Sequence, residues 1–228
     1  MIQRSICIFL TIFILSSSLA YSQSRRHSRE EVESIHAQAL EEHGLGRDSS
    51  AYFLTVKALA ILRSLGDENK PIYAECKHDA GIFALLGLRD KKLFSEHMIE
   101  AINIKYSLYG LSDDYYWSKE SYADGLVYFA NMEKLPEKIS LLEESIEIYE
   151  SLPEHNLIEG YIQSLNNLAV AYEYINAKKS IEFSLKELYI KRETRNPDTL
   201  IVLSNLSRFY EDLDNHKSLY YARLVLTT

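Results

Sequence analysis

The chain has 228 residues, 46% apolar and 25% charged, with 25 basic and 33 acidic side chains and a formal net charge of −8. That composition is globular and excludes a disordered chain. With 8 Gly and 4 Pro it also argues against an all-β sandwich or barrel, whose closely spaced turns consume more of both, and its acidity removes nucleic acid from the expected partners.

Residues 1–22 read as a secretory signal peptide: Arg4, the apolar run Ile6 to Leu15, a serine-rich stretch, then the small residues Ala20 and Ser22 around Tyr21. The run is about half the ~20 residues that a spanning helix needs. Cleavage after Ser22 is expected to leave no stable membrane span and an exported protein, periplasmic or extracellular; retention of the segment as an anchor is the other reading. Cys7 leaves with the signal, so the mature chain keeps only Cys76 and cannot form an internal disulfide. Its thiol either pairs between molecules or serves as a small buried hydrophobe in a helix. Residues 23–27 read as a flexible leader, with the basic residues Arg25, Arg26 and Arg29 close to the cleavage site.

From residue 28 to 228 the sequence repeats itself. Leu165-Asn-Asn-Leu-Ala-Val-Ala-Tyr172 aligns without a gap on Leu203-Ser-Asn-Leu-Ser-Arg-Phe-Tyr210, and the match continues through Asn176 and Asp214 to Ser180-Ile181 and Ser218-Leu219. Each unit is therefore two helices joined by a short turn. Second helices begin at Ala51, Phe94, Lys138, Ser180 and Ser218. The anchors seven residues on, Ala58, Ala101, Ser145, Glu187 and Val225, are spaced by 43, 44, 42 and 38 residues. The expected units are about 28–67, 68–110, 111–152, 153–195 and 196–228. Most Gly and Pro fall at the joints, as helix boundaries require. Gly81 and Gly125 fall inside first helices, where a missing Cβ lets a neighbour approach closely.

This pattern resembles the tetratricopeptide repeat, and its longer kinesin-light-chain variety more than the ~34-residue standard unit. Leu165-Asn-Asn-Leu-Ala-x-x-Tyr172 is similar to that variety's first-helix signature. Asn196-Pro-Asp-Thr199 is similar to its linker, and Tyr109-Gly-Leu-Ser-Asp-Asp-Tyr115 is a looser copy. The resemblance implies an all-α fold, a right-handed superhelical solenoid of about five antiparallel helix hairpins, of an exported bacterial type. It also implies a concave groove that takes a protein or peptide partner. Carried over by position, the groove would be lined by His78, Asp79, Ile82 and Leu85, then Asp124 and Tyr128. The fourth unit would add Asn166, Asn167, Val170, Glu173 and Tyr174, and the fifth Ser204, Asn205, Arg208 and Glu211. The Asn amides can serve a peptide backbone as donor and acceptor; the competing reading is that they bond only within the stack.

The sequence departs from the family at the second-helix positions that are usually small, where Phe94, Lys138 and Glu187 stand, and looser helix contacts are expected there. The aromatic residues Tyr128, Phe129, Tyr149, Tyr172, Phe183, Tyr189, Phe209 and Tyr210 are expected to fill gaps between hairpins.

The mature chain contains no nucleophile elbow, phosphate loop, dinucleotide fingerprint, His-Glu-x-x-His or Cys-x-x-Cys. Glu75 and His78 supply only half of a bundle metal site, and His36 and His43 stand too far apart for one ion. No enzyme activity, cofactor or metal is therefore expected. The leading expectation is a peptide-binding scaffold. The rivals are a sensory or docking region of a longer kinase, regulator or caspase-like protease, and self-association through the apolar carboxy-terminal edge around Leu224, Val225 and Leu226, which carries no polar cap.

Overall fold

The computed structural model describes the backbone of residues 2–153 and 159–227, with side chains from residue 23 onward. Among the described residues all regular structure is helical, and no helix is long and apolar enough to cross a membrane. The chain divides into two compact units, Met1–Tyr115 and Tyr116–Thr228.

The first unit contains α1 (Ile2–Gly44), α2 (Asp48–Ser64), α3 (Pro71–Phe83), which runs on into a π-helical turn at Ala84–Leu88, and α4 (Lys91–Tyr109). Each helix packs on the next in sequence. Val32, Ile35 and Ala39 recur at helical spacing and turn one stripe of α1 onto a core that includes Leu59 and Leu62 of α2 and Tyr73 and Phe83 of α3. Burial of each such large side chain contributes roughly 1.5–3 kcal/mol. A Cβ at Gly81 would stand 2.7 Å from Met98 Cγ and Sδ, so this glycine lets α4 close against α3.

Residues 23–27 lie inside α1, a correction to the flexible leader read from the sequence. This part of α1 is tied to Asp67, in the turn after α2 and only 2% exposed. A buried carboxylate must be paired, and Arg25 and Arg29 of α1 reach it at 3.2 and 2.8 Å.

The second unit holds most of α5 (Asp113–Ala130), then α6 (Leu135–Glu150), α7 (Glu159–Tyr172), α8 (Ala177–Glu193), α9 (Leu200–Tyr210) and α10 (Asn215–Thr227). From α6 onward each helix again packs on its successor. α5 is tied to α6 by the Tyr122 hydroxyl, which donates to Glu144 at 3.1 Å, and by the Tyr149 hydroxyl, which donates to Asp124. Gly160, a glycine the repeat pattern did not single out, stands where a Cβ would strike that Tyr149 hydroxyl and Asp124.

The aligned turn residues carry out one local task. Asn176 and Asp214 accept hydrogen bonds from the backbone N–H groups of Lys179 and Lys217 at 3.2 and 3.1 Å, and Asp90 does the same for Leu93 at 3.0 Å. Such caps stabilise a helix start by about 1 kcal/mol each. The second-helix register also emerges as burial: Ala51, Phe94, Ser180, Ala58, Ala101, Ser145 and Glu187 are all buried, whereas Lys138, Ser218 and Val225 are partly exposed. Of the aromatics expected to fill gaps, Phe129, Tyr149, Tyr172, Phe209 and Tyr210 are buried, but Tyr189 is 64% exposed. It sits one position beyond the buried Leu188, about 100° further round α8.

Candidate functional site

In the first unit the positions assigned to a groove turn inward. His78 is 1% exposed, Leu85 is buried, and Ile82 packs against the core. Burial and the neighbouring Lys105 push the His78 imidazole down to about 4, so it is neutral near pH 7. Asp79 is half-buried and bound by His36 of α1, Nε2 to Oδ2 2.7 Å. α3 packs on both α2 and α4, which brings Lys105 beside His78, while His36 of α1 reaches Asp79. His43, the other histidine on that face, pairs with Asp48 at 2.6 Å. Cys76 is fully buried, and burial pushes its thiol up to about 12, the behaviour of a small hydrophobe.

The second unit assembles what the sequence reading grouped. Asn166 and Asn167 sit near the middle of α7 and Asn205 on α9, while Asn131 follows the end of α5. Asn167 Nδ2 lies 3.4 Å from Asn131 Oδ1, and Asn205 Nδ2 donates to Asn166 Oδ1 at 3.0 Å. Arg208 extends the row by donating to Asn205 Oδ1 at 3.1 Å and pairing with Glu173 at 2.9 Å. The amides thus do bond between repeats. Because an amide offers two donors and an acceptor oxygen with two lone pairs, one such bond leaves each with capacity for a ligand.

The other groove positions divide. Val170 and Ser204 are exposed on α7 and α9. Glu173, Tyr174 and Glu211 lie in the turns that follow those helices rather than on them, and Tyr174 is 91% exposed. Tyr128 is half-buried edge-on to Phe129, and Asp124, although exposed, is engaged by Tyr149.

A second feature went unassigned at the level of sequence. A cavity of about 440 Å³ opens between α7, α8 and the start of α9, lined by Glu159, Ile162, Gln163, Asn166, Glu187, Lys191, Asn196, Asp198 and Ile201. Its position follows from the departure at Glu187. Where the repeat normally places a small side chain, this carboxylate is 1% exposed and pairs with Lys191 one turn on at 2.9 Å. Burial raises the Glu187 carboxyl above its ordinary range, opposed by the Lys191 hydrogen bond. Glu187 Oε2 has no hydrogen-bond partner. The rim is set by the end of α8, where Arg195 adopts a left-handed conformation (φ 53°) and the Asn196 N–H closes back on the Lys191 carbonyl at 2.8 Å. The Asn196 side chain then accepts from the Asp198 N–H at 2.9 Å, fixing the linker at the cavity mouth. The sequence signal was Glu187 itself, an acid at a small-residue position.

Consecutive helix hairpins, capped turns and a repeated register give the chain an all-α, tetratricopeptide-like repeat fold. No protein-family model matches the chain, and no curated protein is similar to it. Solved structures do share the fold. One is a Podosopora anserina protein described as a kinesin light chain with nearly identical TPR-like repeats (20% identity, 87% of this chain and 95% of that one, TM-score 0.53). A single-substitution variant of it aligns over 88% and 94% at 20% identity, TM-score 0.54. BtubC (BKLC) from P. vanneervenii aligns over 90% of this chain and 87% of its own at 18% identity, TM-score 0.54. The chain is thus similar in fold to kinesin-light-chain-like repeat proteins.

Proposed function

We propose that the protein is a non-enzymatic scaffold that binds a peptide segment of a protein partner along α7 and α9. The observation that carries this reading is the cross-repeat amide row, Asn131 to Asn167 and Asn166 to Asn205, extended by Arg208 and Glu173. These groups are held by each other before any ligand arrives, so binding requires little ordering of the receptor. A photo-crosslinking side chain at Val170 tests it in the native host. Capture of a partner that is lost in Asn167→Ala/Asn205→Ala, with helicity unchanged, is the expected result; no capture, or capture indifferent to the double variant, removes the groove assignment.

The exposed Leu219, Tyr220 and Leu226 on α10, a helix without a fully buried residue, favour self-association as a second reading. A mass that rises with concentration in light scattering supports it, and a constant monomer mass rejects it. Export through residues 1–22 also belongs to this proposal, resting on the charge and apolar pattern of that segment. Amino-terminal sequencing of the protein from its host is expected to begin at Gln23.

A further inference from the structure

We propose that the cavity between α7, α8 and the start of α9 is a binding site for an ammonium or guanidinium group, carried by a Lys or Arg side chain of a bound segment. The peptide origin of that group rests on the groove reading above; the cation preference rests on the cavity alone.

The lining holds three carboxylates, Glu159, Glu187 and Asp198, against one ammonium, Lys191, and that ammonium is already engaged by Glu187 Oε1. An anion would meet three like charges, and an apolar group would strand the amides of Gln163, Asn166 and Asn196. Among the described residues no cluster of three His, Cys, Asp or Glu side chains is arranged to hold a metal ion. A charged N–H donor complements this lining. Its natural acceptor is the Glu187 carboxylate, which lines the cavity, is 1% exposed and keeps Oε2 without a partner, where a charge-assisted hydrogen bond is strong and its absence costly. The cavity volume, about 440 Å³, lies within the range of small-ligand sites and is ample for one long basic side chain. Arg carries five N–H groups in a plane and can serve Glu187 and a rim acid together, while Lys offers three from one point.

Asn166 lines this cavity and also receives the Asn205 hydrogen bond. The cavity therefore adjoins the amide row, and a peptide lying on the row could place a basic side chain in it. Because burial holds the Glu187 carboxyl above its ordinary range, affinity should fall as the pH is lowered through its titration.

Four probes test the proposal on the full chain by NMR: N-acetyl-arginine methylamide, N-acetyl-lysine methylamide, the neutral citrulline analogue, and putrescine. Saturable shifts at the side-chain amides of Gln163, Asn166 and Asn196 are expected with the arginine or lysine probe, with citrulline at least about tenfold weaker. Glu187→Gln should weaken binding by about tenfold or more. Since that change also touches the Lys191 pair, Asp198→Asn on the exposed rim is the second variant, expected to weaken binding by about two- to fivefold. Tighter binding of the capped amino acids than of putrescine identifies a peptide side chain as the source; the reverse order identifies a free amine. Citrulline binding equal to arginine, no saturable shift with any probe, or insensitivity to both variants overturns the site. Asn167→Ala, whose partner is Asn131 and not a cavity residue, separates the two proposals. Partner capture lost in that variant with no probe binding leaves the groove and removes the cavity site. Probe binding with capture indifferent to the variant does the opposite.

Discussion

The two units bury charge in different ways. In Met1–Tyr115 the buried basic groups are two lysines, Lys77 and Lys105, 3% and 4% exposed, and two histidines, His78 and His97, which burial holds neutral. Lys77 reaches out to Glu100, whose side chain is 43% exposed, at 2.5 Å. In Tyr116–Thr228 a whole ion pair is interior, Glu187 with Lys191, at side-chain exposures of 1% and 6%. The first arrangement lets water complete the solvation of each outer partner. The second holds both charges inside, with Glu187 lining a cavity and its Oε2 without a hydrogen-bond partner.

Removing the cation from each arrangement should give the largest contrast. Lys191→Met leaves a buried, uncompensated carboxylate and should cost about 3–5 kcal/mol, whereas Glu187→Leu/Lys191→Met should return to near neutral. Lys77→Met should cost less than about 1 kcal/mol, because Glu100 regains water. Urea unfolding of the three variants measures this, and equal costs for the two lysines would erase the distinction.

Acid separates the units by sign. His78 and His97 are pushed down to about 4, so between pH 6.5 and 4 the unfolded chain binds protons that the folded one refuses, and stability falls as the pH drops through that window. The His78 share is about 3 kcal/mol, and His78→Leu should flatten the profile. The Glu187 carboxyl is raised, so its contribution is present below the unfolded value, near 4.5, and is lost as pH rises through the folded one. Hydrogen exchange at α3 and α8 from pH 7 to 4 should therefore show protection decreasing in the former and retained or increasing in the latter.

Smaller effects test the regular parts. Losing the amide row through Asn167→Ala/Asn205→Ala should cost about 0.5–1.5 kcal/mol per bond; no change in thermal unfolding would mean that the row adds no stability. The helix ends give the smallest test. Gly46 and Gly66 supply the left-handed residue after α1 and α2, at φ 72° and 67°, where the second unit uses Arg195 at φ 53°. Arg195→Gly should stabilise by about 1 kcal/mol or less, and Gly66→Ala should destabilise by a similar amount.

Much of the fold was legible because its signals are local. The 38-residue alignment of α7–α8 on α9–α10 reflects repeated caps, Asn176 and Asp214, and repeated core positions such as Leu165 and Leu203, all read within one hairpin. The inward turn of His78 and the helical state of residues 23–27 were not legible, since each involves partners outside its own helix: α4 brings Lys105 beside His78, and Asp67 pairs with Arg25 and Arg29. Tyr189 failed as a filler for a related reason, as one residue of helical rotation separates it from buried Leu188.

The sequence by itself determined that this is an all-helical protein of repeated helix hairpins, because helix periodicity, caps and spacing are properties of short segments. Only the tertiary structure decided which polar residues are buried and which are paired. It sent His78 into a core, joined Asn166 to Asn205, and left Glu187 with a spare oxygen at a cavity, since burial and hydrogen-bond partners are settled by what packs against a helix and not by the helix alone.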